Sequence, residues 1–211
     1  KIAENIALDL SNHEMVMGFV KNNNIDLTIV GPEAPLADGI VDSFKKIGLP
    51  IFGPDKYASQ LESSKLFARD MMAEYNVPIP KYYACKNRHE ADLVKVKLKL
   101  PLVLKADGLA AGKGVIVCTT ESGYEAALTT MFDENAFGDA GTKVSVEDCL
   151  IGEELSVFAV CDGEDYIVLN TAQDYKRAYD GDRGPNTGGM GAYSPTPLST
   201  DDILRKTKLS V

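Results

Sequence analysis

Three lysines of this sequence have the surroundings expected of cations that bind an anionic ligand. Lys105 lies in the apolar segment PLVLKA and begins the glycine-rich stretch KADGLAAGKGVIV, which also contains Lys113. Lys65 follows two serines at the predicted start of a helix. A lysine is rarely buried without a partner, so we expect an anionic ligand beside Lys105. Lysines act on phosphates as point charges, and this set would suit a polyphosphate.

The glycines of this stretch predict a flap between two strands rather than a P-loop. Three residues separate Gly108 from Gly112, where a P-loop needs four. Lys113 is followed by Gly114 instead of a hydroxyl residue, and the apolar segment VIVCT follows instead of a helix. Glycine allows the backbone to approach a ligand closely, and successive amides in such a loop bind anions. The alternative is an ordinary loose hairpin with a solvated lysine.

The segment VEDCLIGEELSVF is the candidate nucleoside site. Glu147 and Leu150 come at the end of an apolar strand, where backbone N–H and C=O groups could contact the edge of an adenine. Glu154 could accept hydrogen bonds from ribose hydroxyls. The alternative is that both glutamates are surface carboxylates on a turn, since acidic residues are mostly exposed.

The segment GPEAPL follows the apolar run IDLTIV, which is typical of a strand covered on both faces. Ligands of open α/β sheets bind at the carboxyl ends of the strands, so Gly31, Pro32 and Glu33 are candidate substrate-binding residues. Gly31 permits close approach, and Glu33 could accept from a hydroxyl or an amine. The alternative is a proline-rich turn leading into a helix.

A polar, glycine-rich stretch, QDYKRAYDGDRGPNTGGMGAYSP, supplies further candidates and is predicted to be a loop. Its candidate ligand-binding residues are Asp174, Lys176, Arg177, Asp182, Gly188 and Gly189. Lys176 and Arg177 could meet a phosphate or a carboxylate, and Asp174 could orient an amine. The alternative is a flexible surface linker.

Alternating strand and helix patterns predict a doubly wound parallel sheet in the first part of the chain. NIALDL, IDLTIV and LPIFG are the expected strands, and a capping box at Ser11 and Glu14 begins the first helix. A second capping box, Ser59 with Glu62, begins a long helix through YASQLESSKLFARDMMAEYNV.

From Pro80 onward, short strands dominate and one helix is expected near ESGYEAALTTMF, which is an α+β pattern with antiparallel pairing. The fold class is therefore α/β plus α+β, with a boundary near Lys81. The final segment DDILRKTKLSV has the pattern of a helix that is just starting, and the first residue is not Met. We expect the sequence to be a piece of a longer protein, cut at both ends.

Composition restricts the classes of partner. The chain has 211 residues and a net charge of −9, which argues against nucleic acid or an anionic membrane as a partner. The start lacks the apolar core of a signal peptide and no stretch approaches a membrane helix, so we expect a cytoplasmic protein. Cys85, Cys118, Cys149 and Cys161 have no C-x-x-C spacing, which predicts reduced, mostly buried thiols and no zinc site.

Lys65, Lys105, the flap and the E-x-x-L…E segment together resemble the ATP-grasp superfamily. Within it, GPEAPL, GPNTGGMGAYSP and QDYKR resemble the phosphoribosylamine–glycine ligase (glycinamide ribonucleotide synthetase) family, in order along essentially the whole chain. The resemblance implies an N-terminal substrate domain at 1–81, a lid subdomain with the flap at 82–151 and the start of a second ATP-grasp subdomain at 152–211.

The resemblance also implies an activity. Members join glycine to 5-phosphoribosylamine in purine biosynthesis with ATP and Mg²⁺, through glycyl phosphate, and release ADP and phosphate. It implies catalytic roles for Lys105, Lys176 and Arg177, and places phosphoribosylamine at GPEAPL.

The remaining roles follow from the same resemblance. The implied ATP-binding residues are Lys65, Lys105, Gly108, Gly112, Lys113, Gly114, Glu147, Leu150 and Glu154. The Mg²⁺ ligands are expected beyond residue 211, with none in this chain, and further domains could follow or be fused. The alternatives are a nucleotide-binding fragment without turnover, or another ATP-grasp enzyme such as a carboxylase or a different purine ligase.

Overall fold

The computed structural model describes residues 2–109, 114–134, 136–181 and 183–211, with the side chains of residues 139, 140, 185 and 186 outside that description. The chain divides into two compact units, residues 1–68 and 69–211. The division at 1–81, 82–151 and 152–211 stays a prediction.

The first unit contains short helices and a small parallel sheet. Its elements are α1 (His13–Asn22), β1 (Thr28–Ile29), α2 (Glu33–Asp38), α3 (Ile40–Lys46), β2 (Ile51–Phe52) and α4 (Gln60–Ser63). Strands β1 and β2 pair in parallel, with Thr28 opposite Ile51. The core packs α1 against α3 through Val16, Val20, Ile40, Val41 and Phe44. Strand–helix alternation and the parallel pairing confirm the predicted α/β class of this part.

Two strand predictions in this unit are wrong in detail. The run IDLTIV forms only the two-residue β1, and the side chain of Ile29 is 69% exposed, so the strand is not covered on both faces. NIALDL forms no strand. Ile6 and Leu10 are exposed there, and no described strand pairs with the segment, so its apolar alternation has no ladder to support it.

Both predicted capping boxes are also wrong. The side chain of Asn12, not Ser11, caps α1 by accepting from the amide of Met15, while the Ser11 hydroxyl donates to Asp9. The hydroxyl of Ser59 donates to the carbonyl of Asp55 and makes no capping hydrogen bond to α4, and the Ser59 backbone is already helical. The long predicted helix is interrupted at Ser64, whose hydroxyl accepts from the amide of Phe67 at the start of the next helix, α5 (Lys65–Glu74).

The second unit is built on strands. They are β3 (Tyr82–Cys85), β4 (Leu102–Ala106), β5 (Val115–Cys118), β6 (Val144–Asp148), β7 (Ala159–Cys161), β8 (Tyr166–Val168), β9 (Gln173–Tyr179) and β10 (Arg183–Tyr193). The helices are α6 (Arg88–Lys97), α7 (Glu121–Leu128) and α8 (Asp201–Ser210), with a π-helical turn at 129–133 and a 3₁₀ turn at 138–142.

A four-stranded antiparallel sheet in the order β3–β6–β4–β5 forms the centre of this unit. One of its faces packs on α6 and α7, where Leu102, Leu104, Val146, Tyr124 and Leu128 are almost fully buried. The predicted antiparallel α+β arrangement is confirmed. The expected strand–glycine loop–strand is the β4–β5 hairpin, with Leu102 opposite Cys118.

Helix α6 was not predicted, since one helix was expected in this region. Its side-chain cap is Asn87, which accepts from the amide of Glu90, and the Glu90 carboxylate accepts from the amide of Lys86. Ala91 and Val94 are buried against the sheet. The charged residues of RHEADLVKVK make the narrow apolar stripe of Ala91 and Val94 hard to recognise in the sequence.

The stretch from Gln173 to Pro195 was predicted to be a loop and is instead mostly the antiparallel hairpin of β9 and β10. Tyr193 pairs with Gln173 and Arg183 with Tyr179, with irregular register between these ends. Gly189 has φ +117°, a conformation that favours glycine. Glycines in this hairpin therefore allow the irregular pairing of β9 with β10, because β-bulges accept residues at positive φ.

Candidate functional site

A buried carboxylate lies at the centre of the candidate site. Strands β4 and β6 are neighbours, and their register sets Lys105 opposite Ser145 and Val103 opposite Glu147. The side chain of Glu147 is 1% exposed. Its Oε2 atom lies 2.9 Å from the Nζ atom of Lys105. The Oε1 atom accepts from the hydroxyl of Ser145 at 2.9 Å.

The second cation on this carboxylate is Arg69, which α5 presents. Its Nη2 atom donates to Oε2 of Glu147 at 2.8 Å, and its Nε atom donates to Oε1 at 3.1 Å. This is a bidentate arginine–carboxylate pair, the strong and geometrically specific kind. Sequence reasoning missed Arg69 and Ser145.

The electrostatics of this group favour an ionised carboxylate. Burial alone would raise the pKa of Glu147, but hydrogen bonds from Arg69 and Lys105, together with their charges, hold that pKa below its ordinary value. Two cations on one anion leave the trio Arg69, Glu147 and Lys105 with a net positive charge. The trio could therefore attract a further anion.

These contacts bear on one expectation and one alternative. An anionic ligand was expected as the partner of Lys105; the structure places Glu147 beside this lysine, and the ligand stays a prediction. Glu147 is also not a surface carboxylate on a turn, because it lies within β6 and is buried. Alternation along VSVED could have shown this, since a strand places Ser145 and Glu147 on the face opposite Val144 and Val146.

A second ion-paired cluster joins the hairpin to the segment after β6. The Nζ atom of Lys176 lies 2.6 Å from Oε2 of Glu154 and 3.8 Å from Oδ2 of Asp174. All three side chains remain partly exposed, so a ligand could reach them. Hydrogen bonding to Glu154 is the main reason that the pKa of Lys176 is raised, which keeps its ammonium charged.

Both clusters line one cavity of about 920 Å³. Among its walls are predicted site residues from β4, β6, β9 and the segment after β6: Lys105, Glu147, Leu150, Glu154, Asp174, Lys176 and Arg177. The apolar part of the lining includes Val103, Val115, Val117, Leu150 and Met190. Cavities of this size in which polar groups converge beside apolar surface are typical of small-molecule sites. The structure thus brings together residues that the sequence analysis took from three separate motifs.

Some predicted residues of this unit lie away from the cavity lining. Gly188 and Gly189 belong to β10, and neither lines the cavity. Gly114 is buried beside the hairpin, where its carbonyl accepts from the amide of Ala106. Gly108 follows β4 without lining the cavity. The roles of these glycines remain predictions.

Other predicted residues cannot be placed at this cavity. Gly112, Lys113 and Asp182 lie outside the described residues. Gly31, Pro32, Glu33 and Lys65 belong to the first unit. There Glu33 is the first residue of α2 and Pro32 precedes it as the N-cap, so the predicted turn into a helix exists. Their ligand-binding roles stay predictions.

Arg177 has a contact within its own hairpin. Its Nη1 atom donates to the carbonyl of Gly184 at 2.8 Å, which links β9 to β10. Tyr175 stacks on Tyr193, with ring centroids 6.0 Å apart. The hairpin therefore holds this wall of the cavity through side-chain contacts in addition to its ladder.

The described part of the chain contains neither a cluster of metal-ligating side chains nor a membrane-spanning helix. No group of three or more His, Cys, Asp or Glu side chains there could hold a metal ion. No described helix combines the length and the apolar character needed to cross a bilayer. The four cysteines are unpaired; Cys85 and Cys118 are buried, whereas Cys161 is exposed.

Comparison with known proteins gives matches along the whole chain. Residues 1–62 match the N domain of phosphoribosylglycinamide synthetase, and residues 63–211 match its ATP-grasp (A) domain. A phosphoribosylamine–glycine ligase of Yersinia pestis is 50% identical over 204 residues, which is 96% of this chain and 47% of that protein. The chain spans about half the length of the curated relatives it matches.

Solved structures agree with the fold. A crystal structure of phosphoribosylamine–glycine ligase from Thermotoga maritima has a TM-score of 0.67 and 38% identity, covering 75% of this chain and 41% of that one. The biotin carboxylase domain of a Hydrogenobacter thermophilus 2-oxoglutarate carboxylase, solved with MgADP, has a TM-score of 0.75 at 16% identity, covering 96% and 45%. The second likeness shows the fold alone. The family resemblance and the predicted ATP-grasp fold are confirmed, and the chain belongs to the phosphoribosylglycinamide synthetase family.

Proposed function

We propose that this chain supplies the nucleotide-binding part, and a share of the substrate-binding part, of an ATP-dependent ligase that joins glycine to 5-phosphoribosylamine. The observation that carries the proposal is the cavity in which Lys105, Lys176 and Arg177 converge with the segment of Leu150 and Glu154. The family match and the names of the relatives support this choice of reaction. We further propose that the protein acts in the cytoplasm on small molecules.

The cavity has the features that ATP requires. Its volume of about 920 Å³ suits a nucleotide, and its apolar strands would cover a purine ring. Leu150, which is 73% exposed, would contact the base, and the accessible carboxylate of Glu154 would accept from ribose hydroxyls. Two solved structures of the same fold contain bound ATP or MgADP.

The cations of the cavity would stabilise and orient the anionic groups of the reactants. When bound, ATP supplies the phosphoryl group that converts the glycine carboxylate into an acyl phosphate. Lys105, held on Glu147, would face the phosphates and neutralise the charge that develops on them. Lys176 and Arg177 would orient the glycine carboxylate or the sugar phosphate. The β4–β5 hairpin would cover the site and exclude water.

Mg²⁺ has no fitting ligand set among the described residues. Asp174 and Glu154, two partly exposed carboxylates that line the cavity, both lie on the ammonium of Lys176. We therefore derive no step through a metal from this chain. Metal ligands beyond residue 211 stay a prediction.

Phosphate release measured on the full chain tests the proposal. We expect release with MgATP only when glycine and 5-phosphoribosylamine are both present, and we expect Lys105→Ala to abolish it. Arg88→Ala is the matched control, because this arginine pairs with Glu125 and Asp133 outside the cavity. Phosphate release in the absence of glycine or of 5-phosphoribosylamine would contradict the assignment.

A second candidate is a nucleotide-binding module without turnover. The pairing of Asp174 and Glu154 with Lys176, which leaves neither carboxylate open to a metal ion, favours it. This candidate predicts that MgATP binds and stabilises the fold while no phosphate is released. The same assay with a parallel thermal-shift titration separates the two candidates.

A further inference from the structure

The ion pairs of Glu147 raise a question about how Lys105 can serve a ligand. The ammonium of Lys105 already lies 2.9 Å from a carboxylate that is 1% exposed. If that were the sole partner of Glu147, moving Lys105 onto a phosphate would leave a buried charge uncompensated. Such a loss is strongly unfavourable, so a single ion pair would hold Lys105 away from a ligand.

Arg69 removes this difficulty. It binds both oxygens of Glu147, through Nη2 at 2.8 Å and Nε at 3.1 Å. Ser145 donates a further hydrogen bond to Oε1. Glu147 therefore stays compensated when Lys105 shifts towards a ligand.

We propose that Arg69 is a positioning residue that acts through Glu147: it satisfies the buried carboxylate, so that the Lys105 ammonium is available to ATP phosphates. This inference rests on the proposed binding of ATP in the cavity. Arg69 lines that cavity, but its guanidinium nitrogens Nε and Nη2 are committed to Glu147. Its effect on ATP would thus be indirect.

A double-mutant cycle tests the mechanism. The variants are Arg69→Met, Arg69→Lys, Glu147→Gln and the double variant Arg69→Met with Glu147→Gln, in the full chain. MgATP affinity is measured by isothermal titration calorimetry, and thermal unfolding confirms that each variant folds. Arg88→Met, which removes a doubly paired arginine outside the cavity, is the control.

We expect Arg69→Met to weaken MgATP binding about tenfold, the scale of coupling between contacting residues. Arg69→Lys should lose less, because it keeps a cation on Glu147. The double variant should regain affinity to within about threefold of wild type, since a neutral glutamine no longer holds Lys105. A double variant as weak as Arg69→Met, or an unchanged Arg69→Met, would overturn the proposal.

A measurement without nucleotide separates this inference from the proposed function. Acetic anhydride acylates neutral amines, and its rate at Lys105 can be read by peptide mass spectrometry. A Lys105 held by Glu147 without competition from Arg69 is less available to the reagent, so acylation of Lys105 should slow in Arg69→Met and accelerate in Glu147→Gln. Equal rates in all variants would overturn the proposal. Failure of the wild type to bind MgATP would refute the proposed function, while the acylation rates would still decide whether Arg69 controls Lys105.

Discussion

Lys105→Met would remove one of the two cations on Glu147 while keeping the aliphatic part of the side chain. The carboxylate retains Arg69 and the hydroxyl of Ser145, so the loss is one hydrogen bond to a buried charged group. Such bonds contribute about 1.5–3 kcal/mol. The side chain of Lys105 is 22% exposed, so solvent screens part of the interaction and we expect a destabilisation of about 2 kcal/mol.

Native-state hydrogen exchange can measure this loss of stability in the strands that carry the ion pair. The amides of β4 and β6, whose ladder pairs Leu104 with Val146, should exchange about 30-fold faster in the variant, as a 2 kcal/mol change implies. Lys95→Met is the control, because Lys95 pairs with exposed carboxylates on α7, and it should change exchange far less. Equal exchange of wild type and Lys105→Met would refute the energetic importance of this ion pair.

The pH dependence of that difference follows from the pKa of Glu147. Burial raises this pKa, but the hydrogen bonds from Arg69 and Lys105 lower it more, to below its ordinary value of 4.5. A carboxyl with a lowered pKa stabilises the fold above its unfolded pKa, and this contribution is lost as the pH falls through the folded pKa. The gap between wild type and Lys105→Met should therefore be complete at neutral pH and should shrink below about pH 4.5. A gap that widens on acidification would contradict the assignment.

Three further predictions concern other parts of the chain. Tyr124→Phe should destabilise the second unit by about 1 kcal/mol in urea unfolding, because the buried hydroxyl donates to a backbone carbonyl of α6 at 2.8 Å, and an unchanged midpoint would contradict this. Iodoacetamide at pH 8 should modify Cys161 well before Cys85 and Cys118, since burial raises the pKa of the latter two thiols to about 11. Glu33→Ala should raise the KM for phosphoribosylamine while leaving MgATP titration unchanged, and equal loss of both would argue against separate sites.

Local sequence patterns predicted the elements whose neighbours along the chain determine them. The β4–β5 hairpin follows from two apolar strands around a glycine stretch, and α8 follows from its amphipathic pattern after Thr200, whose side chain caps it. The predicted capping boxes failed because several nearby polar side chains can form hydrogen bonds with the same backbone groups. Ser59 illustrates this, since its hydroxyl bonds the carbonyl of Asp55 instead of capping α4.

The candidate site was predictable in its residue types but not in its pairings. Lys105, Glu154 and Lys176 stand out because charged residues interrupt apolar or glycine-rich stretches. The Arg69–Glu147 pair joins positions 78 residues apart, and nothing local to Arg69 indicates that α5 reaches β6. Long-range ion pairs depend on how elements pack, which a single sequence encodes only indirectly.

The Glu147 trio also explains how an acidic protein could bind a polyphosphate. The chain has a net charge of −9, but charges in solvent are screened over about 10 Å, so the total matters little inside a cavity. Arg69 and Lys105 alone would repel each other at such close range. The buried carboxylate holds both within 3 Å of one oxygen and leaves one positive charge in a region of low dielectric, where it acts more strongly than in water. A glutamate in the proposed ATP cavity is therefore consistent with that chemistry, because it fixes Lys105, the cation that would face the phosphates.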